Sequence, residues 1–395
     1  MYTLRPYQED AVNAGLDFFL NSSLRAALMV LPTGSGKSLV IANIVKQLPG
    51  STLIFQPSKE ILEQNYDKLM SYDPMIGAEV FSASMKSKNI GKITYATIGS
   101  VINKKAWFEH FDNIIIDECH GVNPKEGMYD SLIKFLGRKK YLGLTATPYR
   151  LNVDGYGGAM LKFLTRTKPR VFEKLIYHCQ IEELQREGFL AKLEYFSVGD
   201  FADTKLKINT THQDYTDQSL REYYHEVKFD VKIADLAKRM LQKRKNLLIF
   251  TKFVDEAEKV KAILGDECGV VSAQTPAAER KQILTDFRSG KIRCVVNVGV
   301  LAVGFDFPEL EAILLARTTR SLGLYYQMVG RVMRPHSDKE SAWVVDMCQS
   351  YKMFGKVEEL VLDRDGEGMW FFRNSQKKLT NVYMDEHQGM IQFNA

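Results

Sequence analysis

A short apolar run, Ala26 to Leu31, opens onto Pro32-Thr33-Gly34-Ser35-Gly36-Lys37-Ser38, and the apolar-periodic stretch Leu39 to Leu48 then stops at Pro49-Gly50. Strand, glycine-bearing loop and helix in that order require an α/β layout with the loop at the strand's carboxyl end. Glycines at 34 and 36 let backbone N–H groups close around anionic oxygens with no Cβ in the way, and the helix N-terminus adds its partial positive charge. Thr33, Gly34, Ser35, Gly36, Lys37 and Ser38 are therefore candidates for holding a nucleotide. Lys37 is placed to reach the β- and γ-phosphates and Ser38 to offer its hydroxyl to Mg²⁺, although Leu31 stands where the general pattern has its first glycine.

The same alternation continues. Apolar runs at Thr52–Phe55, Ile93–Ala96, Ile114–Ile116 and Tyr141–Leu144 are separated by helical stretches, as βαβ units around a parallel sheet would be. The pattern blurs from Leu151 to about Lys245, through a glycine-rich loop (Asp154–Gly158) and a polar segment (Thr204–Gln218). It resumes with strands at Leu247–Phe250, Val270–Ser272, Val295–Val298, Ile313–Leu315 and Val344–Asp346, separated by helices such as Asp255–Leu264 and Pro276–Arg288. Two tandem domains are expected, 1–188 and 189–395, the second carrying a helical and polar insertion near 200–245.

A chain of 395 residues, 45% hydrophobic and 26% charged, can bury two such cores. No apolar run approaches the roughly 18 residues a membrane span needs, so a cytoplasmic enzyme is expected. The five cysteines form no CxxC pair, which points away from zinc ribbons and disulfides. A net charge of +5 suits a nucleic-acid partner and equally suits many ordinary enzymes.

Ile114-Ile115-Ile116 runs directly into Asp117-Glu118-Cys119-His120, setting two adjacent carboxylates at the end of a buried strand, where open α/β sheets bind ligands. Asp117 suits the metal and Glu118 the attacking water, because phosphoryl transfer needs positioned charge more than covalent chemistry. Cys119 has no partner at reactive or ligand spacing and reads as packing.

Joined to the phosphate loop, the sequence Asp117-Glu118-Cys119-His120 resembles the DExH group of superfamily 2 helicases. Further motifs follow in that family's order: Leu4-Arg5-Pro6-Tyr7-Gln8, Thr145-Ala146-Thr147-Pro148, Asn297 to Asp306, and Gln327-Met328-Val329-Gly330-Arg331-Val332-Met333-Arg334. The set looks most like the bacterial RadD-type and phage UvsW-type DNA helicases, without the Cys-rich zinc segment of the longer RadD proteins.

The resemblance implies two RecA-like domains, each a mostly parallel sheet flanked by helices, with ATP in a cleft between them. It implies that Arg5 stacks on adenine and Gln8 reads its edge, and that His120, Thr145, Thr147 and Gln327 couple hydrolysis to movement. It further implies that Gly304 allows close approach, that Asp306 lies near the ribose or finger network, and that Arg331 and Arg334, three apart on a helix and so on one face, stabilise charge on the γ-phosphate.

It also implies a single strand held largely by its phosphates, with Ser58, Lys59, Thr97, Ser100, Thr251, Lys252 and Thr275 as contacts. Two basic stretches, Lys86–Lys88 with Lys92 and Lys238–Lys245, are weaker candidates, and Trp370–Arg373 can either stack on bases or pack on the second domain. The function implied is an ATP- and Mg²⁺-dependent DNA helicase or translocase, expected as a monomer acting on single-stranded or branched DNA, with specificity open to a protein partner. An RNA helicase of the same superfamily and an ATP-gated nucleic-acid clamp remain open at this point.

Overall fold

The computed structural model describes residues 3–153, 159–198, 201, 206–209, 214–302 and 304–383. The chain divides into two compact units, one of 1–150 with 163–183 and one of 151–162 with 184–395. The glycine-rich loop at 154–158, parts of the polar segment (204–205 and 210–213) and Val303 lie outside the described residues. Among the described residues no helix is long and apolar enough to cross a membrane.

In the first unit the elements run α1 (Pro6–Leu20), β1 (Ala26–Val30), α2 (Lys37–Gln47), β2 (Thr52–Gln56), α3 (Lys59–Tyr72), β3 (Ala78–Ser82), β4 (Ser87–Lys88), β5 (Ile93–Thr97), α4 (Ile98–Val101), β6 (Asn113–Asp117), α5 (Met128–Leu136) and β7 (Lys140–Thr145). The paired strands β8 (Tyr149–Val153) and β9 (Ala159–Phe163) belong mostly to the second unit, and β10 (Lys174–His178) with the start of α6 (Ile181–Arg186) belongs again to the first. The sheet order is β10-β1-β7-β6-β2-β5-β3-β4, parallel throughout except for β3–β4. Strands β1, β2 and β6 are buried along their whole length, which explains their uninterrupted apolar character.

The second unit holds β11 (Lys192–Ser197), α7 (Asp217–Glu226), α8 (Phe229–Leu241), β12 (Leu247–Thr251), α9 (Val254–Leu264), β13 (Cys268–Ser272), α10 (Ala277–Arg288), β14 (Cys294–Val298), β15 (Ala312–Leu315), α11 (Leu322–Val329), β16 (Ser341–Asp346) and α12 (Ser350–Phe354), closed by the hairpin β17 (Val361–Arg364) and β18 (Trp370–Arg373). Its sheet is wholly parallel, in the order β11-β16-β15-β12-β14-β13.

Two features differ from the sequence reading. Strand β11 was not anticipated: it is an edge strand, largely exposed, so its residues carry no continuous apolar signal. The segment expected as an insertion is part of the core, because α7 and α8 press Leu220, Tyr223, Tyr224, Phe229 and Ile233 onto Leu247, Ile249 and Leu314 of the sheet. Of the second basic stretch, Arg244 is tied inward, lying over the Trp343 ring at 4.3 Å and donating to the Ser341 carbonyl, whereas Lys238, Arg239, Lys243 and Lys245 are exposed. Trp370–Arg373 packs on its own unit as β18, with Phe371 and Phe372 buried.

Candidate nucleotide site and strand-contact residues

Gly34 and Gly36 both sit at left-handed φ (86° and 82°), a conformation that favours glycine, and α2 starts immediately afterwards at Lys37. A Cβ on Gly36 would stand 2.6 Å from the Gln8 amide nitrogen. That amide donates to the Ser35 carbonyl at 2.9 Å, the Tyr7 hydroxyl donates to the same carbonyl at 2.7 Å, and the Gln8 side-chain oxygen accepts from the Arg5 N–H at 3.0 Å. The start of α1 therefore braces the underside of the loop. Gln8, expected to read adenine, has both ends of its 4%-exposed amide committed to protein and acts here as a brace. Tyr7 was given no role from sequence, yet it makes the shorter of the two bonds. Thr33 is buried, whereas Ser38, in the first turn of α2, is half-buried.

Beside this loop, β6 delivers Asp117 and Glu118. Glu118 adopts φ 48°, ψ 47°, a left-handed conformation uncommon for a residue with a Cβ. Its carboxylate meets Lys37 Nζ at 3.3 Å and His120 Nδ1 at 3.3 Å, and accepts from the Thr145 hydroxyl at 3.4 Å. His120 Nδ1 is in turn 2.9 Å from Thr145 Oγ1 and 3.2 Å from Thr147 Oγ1, while Arg150 donates to the His120 carbonyl at 2.7 Å. The residues Lys37, Glu118, His120, Thr145 and Thr147 thus form one hydrogen-bonded chain.

Asp117 is held by the Glu118 N–H (2.9 Å) and by Asn65 of α3 (3.2 Å), which also bonds Gln56. Burial, then the adjacent Glu118 charge, pushes the Asp117 carboxyl well up. Burial also acts to raise Glu118, but Lys37 and His120 outweigh it and hold that carboxyl low. Cys119 is fully buried and its thiol is raised by that burial, in keeping with packing. Asn65 has no sequence signal, since an asparagine on an amphipathic helix is unremarkable.

In the second unit the arginines differ from expectation. Helix α11 ends at Val329, and the Arg331 and Val332 N–H groups bond three residues back, to Met328 and Val329. This tightened turn removes the shared helical face assumed for Arg331 and Arg334. Arg331 is 8% exposed and donates to the Phe305 carbonyl at 2.8 Å and the Gln327 carbonyl at 3.3 Å. Arg334 pairs with Asp306, and burial lowers its guanidinium to about 10. Gly304 sits at φ 79°. Gln327 is half-buried on α11. Lys339, missed from sequence, donates to the carbonyls of Pro308 (2.7 Å), Leu310 (3.0 Å) and Val332 (3.2 Å), tying the segment after Asp306 to the turn that bears the arginines.

Among the expected strand contacts, Ser58 caps α3 by accepting from the Ile61 N–H, Lys59 pairs with Glu63, and Thr97 and Ser100 share a hydrogen bond of 2.9 Å. All four are partly exposed. A cleft of about 580 Å³ runs between Pro57 and Ile98, next to these residues, and Asp117, Glu118 and Tyr129. Two expected contacts are corrected. Thr251 is fully buried, and the Lys252 ammonium is held by Asp214 (3.2 Å) and Asp217 (3.0 Å), so neither is presented to a strand. Thr275 is half-buried and its hydroxyl accepts from the Ser272 N–H at 2.9 Å.

Comparison with known proteins agrees with this layout. The family model for the type III restriction enzyme res subunit matches residues 1–150, and that for the helicase conserved C-terminal domain matches 231–336. A 51.5 kDa protein of a Lactococcus phage (isolate 7-9) is 27% identical over 331 residues, covering 82% of this chain and 66% of its own. The ATP-dependent DNA helicase uvsW of Enterobacteria phage T4 is 27% identical over 370 residues, covering 87% and 68%. A solved ATP-dependent Type ISP restriction-modification enzyme, LlaBIII bound to DNA, aligns with a TM-score of 0.64 at 15% identity, over 92% of this chain and 28% of that one. The chain spans between 51% and 66% of the length of the first curated relatives it matches. Two RecA-like domains, a restriction-enzyme res-subunit model on the first and a helicase C-terminal model on the second, together with relatives named as helicases, make this chain similar to the superfamily 2 helicases.

Proposed function

We propose that the chain is a DExH-type, ATP-driven DNA motor that couples hydrolysis to movement on DNA. The observation that carries this reading is the bonded chain from Lys37 through Glu118 and His120 to Thr145 and Thr147, which links the phosphate loop to the segment leading out of β7. Lys37 would exchange Glu118 for the β- and γ-phosphates. Glu118, freed and kept ionised, would orient water and take its proton as oxygen attacks the γ-phosphorus and the bond to the β–γ bridging oxygen breaks, giving ADP and phosphate.

The donor set suits Mg²⁺: an oxygen-only pair, Ser38 and Asp117, in which burial and the adjacent Glu118 charge at Asp117 outweigh the positive charge that Lys37 offers it. Bound there, the ion would neutralise charge between the phosphates. Arg334 would supply the finger guanidinium, released from Asp306, with Arg331 and Lys339 holding its turn in place. The change in partners at Glu118 would pass through His120 to Thr145 and Thr147, and the cleft from Asp117 to Pro57 and Ile98 gives a path to strand-contact loops in the same unit. DNA is favoured over RNA by relatives named as DNA helicases.

The test is steady-state ATP hydrolysis with Mg²⁺ in the presence of single-stranded, duplex or branched DNA, or RNA, with Glu118→Gln as control. DNA-selective stimulation that the variant loses supports the motor. RNA-selective stimulation replaces it with the RNA reading, and ATP-dependent binding without turnover leaves only a clamp.

A further inference from the structure

The basic stretch Lys86–Lys88 has no part in the nucleotide site, and the structure gives it a neighbourhood that the sequence did not. Strand β4 pairs antiparallel with β3, Lys88 opposite Phe81 and Ser87 opposite Ser82, so the side chains of Lys88 and Phe81 leave the ribbon on one face. The Phe81 ring packs edge-on against Trp107 (6.2 Å) and Phe108 (5.0 Å). Lys104 lies at a kink inside the 3-10 helix Ile102–Phe108 that follows α4, and its ammonium stands 4.9 Å from the Trp107 ring centre and 5.5 Å from that of Phe81.

Trp107 is 53% exposed, although an indole of that size is usually largely buried. Lys86 and Lys88 are exposed as well, and among the described residues no carboxylate pairs with Lys86, Lys88 or Lys104. On the same unit Lys46, Lys59 and Lys134 all find acidic partners. The β3–β4 turn is also fastened to a strand-contact candidate. The Ala83 N–H donates to Ser100 Oγ at 2.9 Å, and Ser100 bonds Thr97. Because β3 runs parallel to β5, Phe81 and Lys88 lie at the carboxyl end of the sheet, the end where open α/β sheets bind ligands. Lys92 lies at the opposite end of β5 and does not belong to this surface.

We infer that Lys86, Lys88, Lys104 and Trp107 form a single-strand contact surface that continues the Thr97–Ser100 loop, the ammonium groups meeting phosphates and the indole stacking on a base. The inference deepens the motor reading and rests on it for the presence of a nucleic-acid partner. Unpaired cations around an exposed aromatic are the pairing that sequence-tolerant single-strand binders use, charge for the backbone and a π-face for any base.

The test is the affinity of the whole chain for labelled oligo-dT, measured by anisotropy over a series of salt concentrations. Three lost phosphate contacts in Lys86→Ala/Lys88→Ala/Lys104→Ala should flatten the slope of log K against log salt by about 2 and weaken binding at least tenfold at low salt. Trp107→Ala should weaken binding about tenfold with the slope unchanged, and Trp107→Phe should recover part of the loss. Melting temperature and ATPase activity without DNA should stay at the unaltered values in all three. If the triple variant keeps the original affinity and slope, or if poly-glutamate displaces oligo-dT at equal charge, the surface is not a strand contact and the motor reading survives. If the unaltered chain neither binds DNA nor is stimulated by it, the motor reading itself falls, and this surface with it.

Discussion

The two units hold their charged site residues in contrasting ways. In the first, Lys37, Glu118, His120, Thr145 and Thr147 bond mainly to one another's side chains, so each can change partner without opening the backbone. In the second, Arg331 and Lys339 are buried and donate to main-chain carbonyls of Phe305, Gln327, Pro308, Leu310 and Val332. A side chain clamped by carbonyls is part of the fold, and removing it leaves buried acceptors unmet. The contrast teaches that charge in the first unit is held by side chains able to change partner, whereas in the second it fixes the shape of the loop that carries Arg334.

The contrast is sharpest at Glu118. Glu118→Gln should lower kcat for ATP about 10³-fold while urea unfolding shows only a modest loss of stability, since Gln gives up the attraction of Lys37 and His120 but no longer repels Asp117. A large loss of stability would break the distinction. Arg334→Ala should also lower kcat about 10³-fold, with KM for ATP little changed. Arg331→Ala should in addition cost about 2 kcal/mol of unfolding free energy. Equal stability of the two arginine variants would show that Arg331 is not a brace.

Lys339→Met should destabilise the chain by about 2 kcal/mol by leaving three carbonyls unpaired. Its effect on kcat should be smaller than that of Arg334→Ala, and Lys339→Arg should restore part of both.

Glu256 tests the second unit by pH. It is 6% exposed, and burial, followed by the nearby Asp255 charge, outweighs what the Lys252 backbone and Arg221 offer and raises it to about 8. The folded form therefore keeps a proton that the unfolded chain releases near its ordinary value of 4.5. Stability should fall as pH rises from about 4.5 through about 8 and level off above that. Glu256→Met should flatten this fall and be more stable than the unaltered chain by about 2 kcal/mol at pH 8, less at pH 5, as read by urea unfolding at the two pH values. The smallest effect is expected at Lys252. With its ammonium held by Asp214 and Asp217, Lys252→Ala should change affinity for oligo-dT by less than about twofold, and a larger loss would restore it as a strand contact.

Much of the fold was legible because buried parallel strands leave unbroken apolar runs. Ile114–Ile116, Leu247–Phe250 and Val295–Val298 could each be read directly. Exposed β11 and the two-residue β4 left no such signal. Helices α7 and α8 looked like an insertion because the polar stretch before them hides the apolar face that Leu220, Tyr224 and Ile233 turn to the sheet. The phosphate loop and the carboxylate pair were legible because their chemistry needs fixed residue types at fixed spacing on one stretch of chain. Tyr7, Asn65 and Lys339 were not, because each acts on residues at least seven positions away and no local spacing records that.

By itself, the sequence determined two α/β cores, a glycine loop able to close on phosphate, and carboxylates and arginines in an order that implied a motor. These follow from local rules of periodicity, turn geometry and adjacent charge. Tertiary structure decided which charged groups remain available. It buried Thr251, paired Lys252 with two carboxylates, clamped Arg331 and Lys339 with carbonyls, left Lys86 and Lys88 exposed, and set Lys104 over the ring of an exposed Trp107. The physical reason is that the fate of a charge depends on burial and on the nearest opposite dipole, and both are set by segments far apart in the chain.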